Sequence, residues 1–183
     1  MEEEQDLRYP IGKENEQEEY GRAFDEQLKV QLLTDIKMLP SRLEYAIQNL
    51  DAEQLDSRYR PNGWTVSQLV HHVADSHINA YTRFKLGLTE ENPTIKPYDQ
   101  EAWASLSDTQ KLPINISLTL LHALHARWYQ LMYDLSENEW QRTVYHPERK
   151  VKITLWALLK SYSWHSRHHT AHITKLRERM KWV

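Results

Sequence analysis

The chain contains no cysteine in its 183 residues. It therefore has no disulfide framework and no thiolate ligand, and any metal it binds must be held by His, Asp or Glu. Glycine is scarce, at four residues. The long periodic segments are rich in Leu, Ala, Glu, Lys and Arg, which favours helix over sheet. No apolar run approaches the roughly 20 residues of a membrane span. The start, MEEEQDLRYP, is acidic and lacks the hydrophobic stretch of a signal peptide. Positive charge is not in excess either: the formal net charge is −3. There is no basic stripe for nucleic acid, and aromatics are not interleaved with Arg or Lys as in single-strand binders. These absences point to a cytoplasmic protein with a small-molecule substrate, no nucleic-acid partner and no membrane association.

What is present reads as one domain. Residues 1–20 form an acidic tail, docked through Tyr9, Pro10 and Ile11, and residues 21–183 form the domain. A helical pattern runs from about residue 22 to 50 through Leu28, Leu32, Leu33, Ile36, Leu39, Leu43 and Ile47, with Pro40 expected to kink or divide it. A second helix opens at Thr65, an N-cap with Gln68 completing a capping box, and runs to about Leu88. A long linker with Pro93, Pro97 and Pro113 follows, holding a short helix near residues 101–106. A connection this long is often a lid or a site wall. A third helix spans about 115–135. Two short β-patterned runs flank residues 147–150 and predict a small β-hairpin. A fourth helix runs from about 154 to 181. The expected fold is all-α: an up-down four-helix bundle with a small β-hairpin before the last helix.

The fourth helix carries Leu155, Leu158, Tyr162, His165, His169, His172, Leu176 and Met180 at spacings of three or four. That seam should face the bundle interior. His165 and His169 then lie one turn apart on one side, and an i,i+4 pair can direct two ring nitrogens at one point. His168 should be more exposed. A single histidine on an apolar face is usually a hydrogen-bonded core residue. A pair in an interior seam, facing another His-bearing helix, is better explained by a metal ion, since unpartnered buried polar groups cost about 1–3 kcal/mol each. The second helix offers His71, His72 and His77. His71 lies nearly opposite the apolar side. Between His72, on its border, and His77, within it, helical geometry does not choose. Ser166 stands where the zinc-protease helix has its glutamate, and no Glu-x-x-His pair of a di-iron bundle is present.

The segments 7–13 (LRYPIGK), 62–77 (NGWTVSQLVHHVADSH), 83–86 (RFKL), 97–103 (PYDQEAW), 145–147 (YHP) and 164–182 (WHSRHHTAHITKLRERMKW) resemble the DinB/YfiT-like superfamily of bacterial four-helix metalloproteins. Within it the chain looks most like the YfiT-type metal-dependent hydrolases. In that pattern the first metal histidine stands eight residues after a tryptophan, which from Trp64 selects His72. The final-helix H-x3-H aligns His165 and His169 as the other two ligands and puts His172 in a position often held by Gln. The resemblance implies one divalent metal ion per subunit, zinc or nickel, with open positions for water, and a homodimer.

Three readings follow. The first is a hydrolase in which the metal activates water, with His172 as a proton carrier or, more simply, a hydrogen-bonded neighbour of the ligands. Asp75 is a candidate to orient an imidazole, though its simpler place is the solvated side. The second is a bacillithiol-type thiol S-transferase using a metal-activated thiolate. The third is a metal-binding protein without turnover. Tyr98, Asp99 and Trp103 are candidates for a substrate-facing wall. Trp64, Trp128, Trp156 and Trp164 read as packing residues, with Trp164 also placed to line the pocket.

Overall fold

The computed structural model describes residues 6–14 and 23–182. Part of the expected acidic tail, residues 1–5 and 15–20, lies outside the described residues. In chain order the elements are α1 Glu26–Ile47, α2 Ala52–Asp56, α3 Val66–Thr89, α4 Gln100–Ala104, α5 Ser107–Lys111, α6 Ile114–Tyr133, α7 Glu137–Trp140, β1 Thr143–His146, β2 Val151–Thr154 and α8 Leu155–Met180. The four long helices α1, α3, α6 and α8 make a four-helix bundle, as expected. The local signals explain their ends. Asp25 caps α1 by accepting from the amides of Gln27 and Leu28. Thr65 and Gln68 close a reciprocal capping box on α3. Thr154 caps α8 at the amide of Ala157, and Lys181 ends it in the left-handed region with φ 56°.

Pro40 does not divide α1, which runs continuously past it. The proline is buried in the bundle, so packing holds the helix together across the missing hydrogen bond. The hairpin forms as read, with Val144 opposite Ile153 and His146 opposite Val151. The linker holds two short helices rather than one.

Two apolar clusters fill the bundle. One contains Ile36, Phe84, Trp128, Trp156 and Leu159. The other contains Leu43, Val70, Leu121, Ile173 and Leu176. Each long helix passes from one cluster to the other, and the order of passage fixes its direction. α1 and α8 run from the first cluster to the second; α3 and α6 run from the second to the first. Successive helices therefore do not alternate strictly, as the up-down expectation had it: α3 and α6 point the same way. α1 packs on α6 and α8, and α3 packs on the same two, so α1 and α3 face each other across a diagonal.

The physical reason is the linker. Residues 90–113 are long enough to return along the bundle, so α6 can begin at the same end as α3. This strand of chain passes the middle of the bundle, between the two apolar clusters. There the interior residues are not aliphatic but histidines: His72 and His77 on α3, His125 on α6, and His169 and His172 on α8, all buried.

Leu43 is fully buried in the second cluster, away from this layer. Leu43→Ala should lower unfolding free energy by about 2–5 kcal/mol, read as a shift in urea midpoint. An unchanged midpoint would contradict this placement.

Candidate metal centre

Burial shapes the chemistry of the histidine layer. Taking an imidazolium out of water is unfavourable, so burial lowers the pKa of each ring. His72 is pushed down to about 4 by burial alone, and His125 also to about 4. His77, His165 and His169 are held well below the usual value by burial, with further repulsion from the neighbouring rings. All are neutral at pH 7, and each neutral ring has one N–H and one lone pair.

Most of these rings have protein partners. His71 bonds the Ser117 hydroxyl at 2.8 Å through Nδ1 and the Leu112 carbonyl at 3.1 Å through Nε2. It faces away from the apolar side, as read, yet is buried because the linker and α6 cover it. His77 bonds His125 at 2.9 Å and His165 at 3.1 Å. His172 donates from Nε2 to the Arg8 carbonyl at 3.2 Å, and burial pushes its pKa down to about 4. His168 is buried rather than exposed. It stacks on Trp164 with ring centroids 4.2 Å apart, and Tyr9 of the docked N-terminal segment approaches at 6.2 Å. That segment covers a face of α8 that helical periodicity alone assigns to solvent.

His72 and His169 have no hydrogen bond among the described residues, and His165 Nε2, beyond the Nδ1 bond to His77, makes only a long hydrogen bond with the Ser76 hydroxyl at 3.4 Å. One nitrogen from each of His72, His165 and His169 lies within 4.8 Å of the others. The choice that helical geometry left open between His72 and His77 is resolved spatially: His72 joins the pair on α8, and His77 stands behind His165. Tetrahedral nitrogen ligands about 2.0–2.1 Å from zinc stand roughly 3.3 Å apart. Three neutral lone-pair donors from two helices fit a borderline divalent cation.

A second group, His168, His169 and His172, is also within 4.8 Å. It comes from one helix and shares His169, and with the His172 Nε2 on the Arg8 carbonyl that ring offers only Nδ1. The first group is the better centre.

Two cavities of about 300 Å³ each meet at His165. One is walled by Arg8, Tyr9, Tyr59, Trp64, Trp164 and the α8 histidines. The other is walled by Ser76, Arg83, Tyr98, Glu148, Arg149 and Tyr162. Gln100 of the linker lines both. Trp64 stacks near His72 at 4.4 Å and donates its indole N–H to Glu101 at 3.0 Å. The linker is thus a site wall, with Tyr98 in it and Trp103 packed on Tyr98 at 4.5 Å; Asp99 caps α4 instead. No hydrogen bond joins the Asp75 carboxyl to an imidazole among the described residues. Its pKa is raised to about 6 by burial and by Asp108.

The bundle thus buries a three-imidazole cluster that could hold a metal ion, with His165 lining both cavities and His169 lining one. Comparison with known proteins gives the family. The model of the DinB superfamily matches residues 36–173, and the chain belongs to that superfamily. Relatives from Bacillus cereus strain 03BB102 and Bacillus anthracis strain A0248 are 51% identical over 177 residues, spanning 97% of this chain and 99% of theirs. Both bear the name "Putative metal-dependent hydrolase". The solved structure of YfiT from Bacillus subtilis, described as "a probable metal-dependent hydrolase with an unusual four-helix bundle topology", matches with a TM-score of 0.92 at 44% identity, covering 97% of this chain and 99% of that one. A mycothiol-dependent maleylpyruvate isomerase matches at 20% identity with a TM-score of 0.63 over 79% of this chain and 60% of its own, a likeness of fold alone.

The depressed pKa values set a pH dependence. In the unfolded chain these rings titrate near about 6.5; in the folded one they stay neutral to far lower pH. Below about 6.5 the unfolded state binds more protons, so stability is full above that pH and falls as pH drops toward 4. Each ring contributes up to about 1.4 kcal/mol per pH unit, against a typical domain stability of about 5–15 kcal/mol. Metal-stripped protein should lose most of its urea resistance between pH 6.5 and 4. A flat midpoint over that range would contradict the neutral, buried placement of the rings.

Proposed function

We propose that the protein is a metal-dependent hydrolase holding one divalent ion, zinc or nickel, on His72, His165 and His169. The observation that carries this reading is the convergence of three neutral imidazole nitrogens within 4.8 Å of one another, two of whose rings, His165 and His169, line a cavity. The names of the 51%-identical relatives support it. When bound, such an ion is a Lewis acid that polarises a substrate oxygen and brings the pKa of water from about 15.7 to about 7.

The chain's own residues do the rest. Three neutral ligands leave the cation its full double charge. Trp64 packs against His72 and, through its bond to Glu101, ties the linker wall to α3. The two cavities admit a small molecule from either side of His165. His172 holds its N–H on the Arg8 carbonyl and keeps Nδ1 unpartnered, which suits it to steadying the docked N-terminal segment beside the ligands. A role as proton carrier at Nδ1 belongs to the same reading. So do a homodimer, tested by light scattering, and a cytoplasmic setting; no helix among the described residues is long and apolar enough to cross a membrane.

Elemental analysis is the test. The native protein should carry about one divalent ion per chain, and His165→Ala with His169→Ala should lose it while keeping its helical circular dichroism. Metal content unchanged in the double variant would overturn the site. A panel of esters, amides and lactams, run with and without added bacillithiol, separates the reactions. Turnover without thiol that a chelator abolishes supports hydrolysis. Turnover only with bacillithiol would identify a thiol S-transferase, and silence at full metal occupancy a non-catalytic metal protein.

A further inference from the structure

Behind the proposed ligands lies a line of hydrogen bonds that crosses the bundle. It starts at the Ile36 carbonyl on α1. Pro40 has no N–H to give to the carbonyl four residues before it, so that carbonyl lacks its helical partner. His125 Nδ1 of α6 bonds it instead. His125 Nε2 then meets His77 Nδ1 of α3 at 2.9 Å, and His77 Nε2 meets His165 Nδ1 of α8 at 3.1 Å. The line touches all four long helices. His77 and His125 are 0% and 1% exposed, so water does not compete for these nitrogens.

The line has a direction, set at its end. A carbonyl only accepts, so His125 carries its proton on Nδ1 and offers a lone pair at Nε2. His77 must then donate from Nδ1 and accept at Nε2. His165 in turn donates from Nδ1, which leaves its one remaining lone pair on Nε2. A free neutral histidine favours the other tautomer, with the proton on Nε2, where it would block coordination.

We propose that His77 and His125 are positioning residues: with the Ile36 carbonyl that Pro40 leaves available, they form a one-way imidazole chain that fixes His165 as its Nδ1–H tautomer and presents its Nε2 lone pair to a divalent cation. The proposal rests on the assignment of His165 as a ligand. A ligand imidazole held through its second nitrogen keeps both its tautomer and its ring orientation. The chain ends inside the core at a backbone carbonyl, so it orients the ligand and offers no route for protons to solvent. It also accounts for a proline in the middle of a core helix and for two buried histidines outside the metal cluster.

Two measurements test it. Two-bond ¹⁵N–¹H correlation spectra of metal-free wild-type protein report which ring nitrogen bears each proton. His125, His77 and His165 should all be protonated on Nδ1, with His172, which donates from Nε2 to Arg8, showing the opposite pattern in the same spectrum. His165 protonated on Nε2 would overturn the chain. The second measurement is Co(II) titration followed by absorbance. His77→Leu removes the acceptor for His165 and should weaken Co(II) binding by about 10–100-fold. His77→Gln keeps an amide N–H toward His125 and a carbonyl toward His165, and should restore most of the affinity. A merely structural role would lower the urea midpoint in both variants without this difference in affinity. Equal Co(II) affinity in wild type and His77→Leu would overturn the chain while leaving the metal site standing. Wild type that binds no Co(II) would overturn the ligand assignment itself, and the purpose of the chain with it. Should His77→Leu fail to fold, the wild-type spectra decide the question.

Discussion

Every polar group in a dry interior must find a partner or cost stability, and this bundle buries a whole layer of imidazoles. That constraint organises the molecule. His71 is satisfied by Ser117 and the Leu112 carbonyl, and His172 donates to the Arg8 carbonyl. His125 and His77 are satisfied in series from the Ile36 carbonyl. With those bonds made, His72, His165 and His169 are the group in which α3 and α8 together bring ring nitrogens within 4.8 Å of one another. The same requirement that would make random histidines harmful in a core here separates rings held by protein partners from the rings of the proposed metal centre.

The fold supplies what the site needs by departing from strict alternation of helix direction. Because α3 and α6 run the same way, the linker between them must travel along the bundle, and it passes the histidine layer. Gln100 and Glu101 reach the site from this segment. The docked N-terminal segment closes the opposite side with Arg8 and Tyr9. The walls of the cavities are therefore irregular chain on a rigid scaffold, where binding surfaces are commonly placed.

Much of this was legible in the sequence. The heptad-like spacing on α8 gave the interior seam, and Thr65 with Gln68 marked the start of α3. The β-branched runs around residues 147–150 marked the hairpin. The i,i+4 spacing of His165 and His169 announced a shared target. Other features were not legible, for physical reasons. Helical periodicity describes one helix at a time, so it could not say that the N-terminal segment would cover His168 or that α6 would cover His71. It could not rank His72 against His77, because that choice depends on how far α3 lies from α8. Helix direction was hidden in the linker, whose length permits either course. Pro40 was read as a kink or a division, because the missing hydrogen bond is visible in sequence and the packing that keeps the helix undivided is not. His125 did leave a trace: it takes a core place between Leu121 and Trp128 on α6, where an aliphatic residue would pack without needing a partner.

The central claim is that one cation sits where α3 and α8 bring three neutral rings together. Anomalous diffraction at the absorption edge of the bound metal locates such an ion directly. The account predicts a single peak within bonding distance of His72, His165 and His169, with the His165 contact made through Nε2. A peak at His168, His169 and His172, or none in the histidine layer of fully loaded crystals, would contradict it.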